Sequence, residues 1–516
     1  MTGSAGMMAI ATAVGLSAHS GARNEWVVDC PASELAPRLR RLVEELTLVD
    51  LFATTAKGSR PRLTAVLDAP GDPAWLVVHC DLPEAAFPSL SAVSHAASWY
   101  ERDILEMHKV MPQGHPAPYP LRQGKSGEPG PKRAGGAAGA GDDSGQRPKQ
   151  RPAVTGQGVF ELPLGPVRSG PQESQGFSFF SGGEDIVVTD ITLGFKFRSV
   201  ERIAEGRAPA DVILLAERIA ASSCFANALA FSRAVERVIG AEVTPSEQFT
   251  RTLLAELERA YNHLGVIGRL AEATGLQVAA AQFSLMRERA LRASGRLTGH
   301  RYLRGALRIG GTEVVPPEGD RVWLRSEVEA WRSQALRLRH LLEGTSTFVD
   351  RLDTTAYLDP GYAAEHNLVG PVGRASGIDS DLRRDHPYGA YSAVEFVVPL
   401  LSLGDAKARY TVHVMELEQT LGMLLQLLDR WPQAQPPAPL PKLRSGSALG
   451  WAEAPGGATV HLVTLDEGGR VARWRARPPA VVNWHPFAHA CASGNNLTDF
   501  PVIEASFGLA SAEFDR

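Results

Sequence analysis

Cysteine is scarce in this chain. Four residues, Cys30, Cys80, Cys224 and Cys491, are scattered over 516 positions with no Cys-x-x-Cys pair. That spacing excludes a disulfide scaffold and fits a reducing, cytoplasmic setting. Long apolar runs are also missing: no stretch reaches the ~18 residues a membrane-crossing helix needs. The N-terminal segment Met1 to Ser20 is small and apolar but has no basic start, so it does not read as a secretory signal. There is no excess of positive charge. Lys and Arg total 53 against 57 Asp and Glu, a formal charge of -4. Nucleic acid is therefore not an expected partner. Finally, no Gly-x-Gly-x-x-Gly lies between a strand and a helix, which argues against direct NAD binding by this chain.

What is present is the composition of a soluble globular protein, 44% hydrophobic and 21% charged. The length allows two to four domains (about 150 residues each). Residues 25–122 read as a small α/β domain. Leu35 to Leu51 has helical spacing, and Arg62 to Leu67 and Trp75 to Cys80 are short strand-like runs. Residues 123–155 are rich in Gly, Ala, Pro, Ser, Lys and Gln and read as a flexible linker, because they cannot bury enough surface to offset their ordering entropy. Residues 156–516 form a mainly helical second domain. It opens with strands over 158–198 turning at Ser181-Gly-Gly. Helical patterns follow at Asp211 to Val238, at Pro245 to Ala271 behind a Thr244-Pro-Ser-Glu start signal, and at 277–295, 323–346 and 405–430. Residues 448–483 look like a β excursion. The expected class is α+β.

Ordered motifs then point to a family. Trp99-Tyr-Glu101-Arg102-Asp103 followed by Gly114-His-Pro resembles the 30-kDa-type subunit of respiratory complex I. Within it, Glu101 and Arg102 are expected to pair. Gly165-Pro-Val, Leu193 to Arg202, Leu257-Glu-Arg259 to His263-Leu, Arg374-Ala-Ser-Gly to Asp381-Leu-Arg383-Arg384-Asp385, and Gly404-Asp-x-x-x-Arg409 resemble the complex I 49-kDa-type subunit and the large subunit of [NiFe] hydrogenases. A fused arrangement of both parts resembles the energy-converting hydrogenases.

The departures matter as much as the matches. The resemblance implies a nickel site held by two Cys-x-x-Cys pairs. This chain has Ala220 and Ser223 at the first pair and Ala510 and Glu513 at the second. Soft thiolates suit such a metal, whereas a methyl group, a neutral hydroxyl and one carboxylate do not. No metal is expected, nor activity as a [NiFe] hydrogenase by this chain alone. Cys224, about 100° further round a helix from Ser223, is expected to be buried and inert. The residues that would meet a quinone in complex I are replaced too: the opening hairpin Gly165 to Ser174 has no His, and the Tyr position is Ala221. Glu513, Arg198, Glu201, Asp379 and Arg383 are candidates for a proton relay or an interface. His263 reads as a core histidine. His485 and His489 have metal-like spacing, but Pro486 argues against a helix there and no third ligand is evident.

The resemblance implies a non-nickel subunit of a membrane-associated complex I-like or hydrogenase-related oxidoreductase, of NADH dehydrogenase-like type, peripheral on the cytoplasmic face of the inner membrane. Its partners would be an iron–sulfur small subunit, which holds the clusters, and antiporter-like membrane subunits. The alternatives are a structural scaffold with no reactant site and a quinone-reducing NADH dehydrogenase-type subunit.

Overall fold

The computed structural model describes residues 15–22, 24–55, 60–69, 71–122, 156–168 and 173–516, with Met7, Ile10 to Thr12 and Val154 besides. The linker expected over 123–155 falls outside these apart from Val154. The chain forms two compact units. One comprises Met1–Ser199, Glu365–Asn367 and Phe514–Arg516, and the other Val200–Ala364 and Leu368–Glu513. The class is α+β.

The first unit is built on a five-stranded sheet of β1 (His19–Ser20), β2 (Glu25–Asp29), β3 (Thr47–Thr54), β4 (Arg62–Asp68) and β5 (Trp75–Asp81), in the order β1-β2-β5-β4-β3. Only the β2–β5 pair is parallel within it. Helix α1 (Leu35–Glu45) is shorter than its apolar spacing suggested, because Thr47 onward turns into a strand. The run Leu48-Val-Asp-Leu-Phe is buried throughout, and a short buried run fits either period. Helix α2 (Ala97–His108) carries the Glu101–Arg102 pair, but these side chains do not meet as expected. Glu101 accepts from Ser89 and Ser91 hydroxyls at 2.6 Å each and from Leu90 N, while Arg102 donates to the Tyr119 carbonyl at 2.8 Å. Consecutive helical residues point about 100° apart, which explains the separate partners. A second sheet holds β6 (Val159–Leu164), β7 (Gly176–Gly182) and β8 (Asp185–Thr192) as antiparallel neighbours.

The second unit is mainly helical. The stretch expected as one helix over Asp211 to Val238 is two: α3 (Pro209–Ala216) and α4 (Cys224–Ile239). Ala220 adopts extended backbone between them, so the interval that carries the former ligand positions is a turn. Helix α5 (Pro245–Ala273) begins with a full Thr244–Glu247 capping box and Pro at its first turn. Helices α6 (Gln277–Thr298), α7 (Glu318–Glu343) and α8 (Ala406–Asp429) follow. Asp405 caps α8 by accepting from Ala408 N at 2.7 Å. The β excursion is a sheet of β9 (Gly446–Ala454), β10 (Gly457–Leu465) and β11 (Val471–Arg477). Helix α9 (Ala480–Ala492) runs through Pro486, contrary to expectation, and α10 (Phe500–Phe507) follows.

Strand β9 lies directly on α4, and Gly450 makes this approach feasible. A Cβ there would sit 2.1 Å from Ala230 O and 2.4 Å from Ala234 N. Those atoms are helix backbone and cannot move aside cheaply. Gly450→Ala is expected to destabilise the unit by about 3 kcal/mol or more, read as a lower denaturant midpoint. An unchanged midpoint would mean that strand and helix are not in this contact.

Candidate functional site

Two of the buried polar assemblies in the second unit hold or adjoin the residues singled out by the sequence. The smaller lies where the sequence resemblance places the thiolates. Ser223, at the turn before α4, donates its hydroxyl to Glu513 Oε1 at 2.5 Å. Glu513 Oε2 accepts from Ala480 N at the start of α9, at 2.9 Å. Asn227, one turn along α4, donates to the Ser223 hydroxyl oxygen and carbonyl at 2.9 and 2.8 Å. Its own carbonyl oxygen lies 3.2 Å from the Thr459 hydroxyl and 3.1 Å from His461 Nε2 on β10. All five side chains are at most 3% exposed. The Ser223 proton is spent on Glu513, and both carboxylate oxygens already accept hydrogen bonds. Ala220 supplies no donor atom and the Ala510 carbonyl lies 3.4 Å from the Trp484 indole nitrogen. This donor set does not fit a soft metal. Among the described residues no group of three or more His, Cys, Asp or Glu is placed to hold a metal ion.

Cys224 is fully buried, and burial pushes its thiol far above the ordinary range. Its neighbour Glu258 accepts from Phe225 N and Ala226 N at 2.7 and 2.9 Å, capping α4 from outside. Burial nevertheless lifts Glu258 to about 8, against the pull of those two amides.

The larger assembly is a cluster of charges. Arg374, in the short helix Gly370–Ala375, donates to Glu416 Oε1 at 2.8 Å and Glu453 Oε1 at 3.0 Å, and stands 3.4 Å from Asp381. Arg383 grips Asp381 through two nitrogens at 3.0 and 2.7 Å and reaches Glu256 at 3.3 Å. Arg259 stands 3.4 Å from both Glu256 and Glu416 and donates to the Glu453 carbonyl at 2.6 Å. Tyr391 and Thr420 hydroxyls complete Glu256 at 2.6 and 2.8 Å. The guanidiniums hold Asp381 down to about 2 and Glu416 well below its ordinary value, although burial opposes both. Glu453 goes the other way, to about 7, because burial and the nearby Asp381 charge outweigh the arginines.

The five candidate relay residues do not form one chain. Arg198 belongs to the first unit, donates to the Asp515 carbonyl at 3.1 Å, and is lowered mainly by burial. Asp515 itself is lifted by burial to about 6. The other four lie in the second unit. Glu201 accepts from Ala476 N at 3.0 Å. Asp379 pairs with Arg384 at 2.6 Å on the exposed surface. Only Arg383 enters the charge cluster, and Glu513 belongs to the smaller assembly. Sequence reasoning missed Glu256, His413, Glu416, Glu453, Asn227 and His461. A signal existed: Glu256, Arg259 and His263 on α5, and His413, Glu416 and Thr420 on α8, follow i, i+3, i+7 spacing, which puts polar groups on a single helical face.

Comparison with known proteins agrees with this frame. Residues 274–443 match the model of the respiratory-chain NADH dehydrogenase 49 Kd subunit, and residues 28–129 that of the 30 Kd subunit. The membrane-bound hydrogenase subunit alpha of Pyrococcus furiosus is 30% identical over 69% of this chain and 87% of its own length. The chain belongs to this hydrogenase and NADH dehydrogenase subunit family. Formate hydrogenlyase subunit 5 of Escherichia coli is 29% identical over 86% of this chain and 80% of its own. A chain of the membrane-bound sulfane sulfur reductase, an archaeal respiratory membrane complex, superposes with TM-score 0.67 at 28% identity, covering 70% of this chain and all of that one. The family is thus one of oxidoreductase subunits from membrane-associated complexes. No single helix among the described residues is long and apolar enough to cross a membrane.

The Glu453 shift predicts a pH effect. Its folded value, about 7, lies above the ordinary 4.5, so the folded state holds the proton more tightly. The stability it contributes is present below 4.5 and is lost as pH rises through about 7. Glu453→Gln mimics the protonated form and is expected to flatten the fall in unfolding free energy over that window, measured by urea titration at several pH values. An unaltered pH slope would contradict the assignment.

Proposed function

We propose that this chain is a non-nickel subunit of a membrane-bound, complex I-like or energy-converting-hydrogenase-related oxidoreductase. In this reading it lies peripherally on the cytoplasmic face of the inner membrane. It receives the influence of electron transfer in an iron–sulfur small subunit and passes it to antiporter-like, ion-pumping membrane subunits. The reading takes residues 25–122 and 156–516 as its two domains, joined by a tether.

One observation carries the proposal. At the place where the resemblance puts four thiolates, Ser223 and Glu513 close on one another by a hydrogen bond of 2.5 Å, with the surrounding fold retained. A metal-binding reaction centre has become a buried polar contact. What persists is an ionisable interior, and charged interiors suit electrostatic coupling to a neighbouring redox change. Arg198, Glu201, Asp379, Arg383 and Glu513 are the residues we assign to relay or interface. The relatives' names support the setting: a membrane-bound hydrogenase, a formate hydrogenlyase, and a sulfane sulfur reductase that is a respiratory membrane complex. The scaffold alternative draws on the satisfaction of Glu513 by Ser223 and Ala480. A quinone role draws no support from Ala221, whose carbonyl meets the Tyr261 hydroxyl at 3.5 Å. The opening hairpin lies partly outside the described residues.

Affinity purification of the tagged protein from native membranes tests the proposal. Co-purification of an iron–sulfur subunit together with polytopic antiporter-like subunits is the expected result. Recovery of the chain alone from the soluble fraction would contradict it.

A further inference from the structure

Among the described residues, the charge cluster sets four carboxyl groups against three guanidiniums, and is one positive charge short whenever Glu453 is ionised. Glu256, Asp381, Glu416 and Glu453 face only Arg259, Arg374 and Arg383, and every one of these seven is at most 3% exposed. Beside them lie two histidines, His263 on α5 and His413 on α8, at most 4% exposed. Their Nδ1 atoms are 2.9 Å apart. One proton must therefore lie between these nitrogens, carried by one ring and accepted by the other. His263 Nε2 stands 3.2 Å from Glu416 Oε2, at ion-pair distance but off a hydrogen-bond line. His413 Nε2 is buried with no hydrogen-bond partner among the described residues.

These positions restrict the tautomers. A bare His263 Nε2 would set a lone pair against a carboxylate, so the proton belongs on that nitrogen. His263 Nδ1 is then the acceptor and His413 Nδ1–H the donor. His413 Nε2 is left as a buried acceptor with nothing to accept, a costly state that a proton relieves.

We propose that His263, His413 and Glu416 form a buried relay site for a single proton, which enters at His413 Nε2 and leaves its charge on His263. An N–H bond forms at His413 Nε2, with hydronium as the source. The N–H bond at His413 Nδ1 breaks as its proton crosses to His263 Nδ1. The product is a neutral His413 and a His263 imidazolium beside the Glu416 carboxylate. The added charge stands against the Glu416 carboxylate, 3.2 Å away.

The surroundings define when the site loads. Burial holds both imidazoles below their ordinary range, His413 furthest, while Glu416 favours a charge on either ring; Arg259 and Arg383 oppose it at His263, and Arg269 and Arg374 at His413. Glu453 on β9 is the rival home for the proton. Among the other elements packed on α8, α10 carries Glu504, half-buried, and α7 turns Arg339 toward Glu418 and Glu343. The site is thus empty at neutral pH and fills on acidification or when a negative charge arrives nearby. The inference concerns the chain's own chemistry and does not depend on its partners.

Isotope-edited infrared difference spectra of the full-length protein, with labelled histidine, provide the test as pH is lowered from about 8 to below the ordinary imidazole value of about 6.5. The expected result is one buried imidazolium band with a midpoint below that value. It disappears in both His413→Gln and His263→Gln, because the two rings hold one proton together. Glu416→Gln, which removes the carboxylate 3.2 Å from His263 Nε2, is expected to weaken proton affinity about tenfold, one pH unit. Circular dichroism checks that each variant is folded. An unchanged His263 band in folded His413→Gln would overturn the proposal, as would an unshifted midpoint in folded Glu416→Gln or the absence of any buried imidazolium down to acid unfolding.

Discussion

Arg374 is the tie on which the second unit depends. Its guanidinium touches Glu416 on α8, Glu453 on β9 and Asp381 in the following loop, so a helix, a strand and a loop meet at one planar cation. Arg259 and Arg383 repeat the pattern from α5 and from the short helix Leu382–Asp385. Such an assembly is an expensive way to gain stability, because ions must leave water to enter it. Its value is in specificity. Removing any one member strands a buried charge, at about 3–5 kcal/mol, so the elements have a single permitted arrangement. The same constraint leaves Glu453 protonatable near neutrality and places the two histidines where an extra proton has a use.

The scaffold outlives the chemistry it resembles. Replacing thiolates by Ala220, Ser223, Ala510 and Glu513 leaves a polar hole, and the chain fills it with its own donors. Ser223, Asn227, Thr459, His461 and Ala480 N form a continuous set of hydrogen bonds to or around Glu513. A buried carboxylate without them would be costly. The contact joins the start of α4 to residues near the C-terminus, a link the metal would make in a hydrogenase-like site.

Much of this was legible in the sequence because local rules dominate there. The Thr244-Pro-Ser-Glu start fixed α5, Gly404-Asp405 fixed the cap of α8, and the ordered motifs fixed the family. The failures are places where tertiary contacts decide. Leu48 to Phe52 is buried on both faces and becomes a strand through pairing with β4. Residues 217–223 break a helix-like pattern in order to present a turn. Pro486 sits inside a helix buried on most sides, where packing overrides propensity. The candidate relay residues share only membership of the motifs, and motif membership does not report convergence. Glu416 and Glu453 are adjacent only because α8 and β9 fold onto Arg374, a long-range fact that no local spacing encodes.

The central claim is that this subunit keeps the hydrogenase-like frame without its nickel. Metal analysis of the protein purified anaerobically from its native membranes tests it most directly. The account predicts no stoichiometric nickel in this chain, whatever iron its partners bring. One nickel per chain, retained through gel filtration and lost in Glu513→Ala, would contradict it.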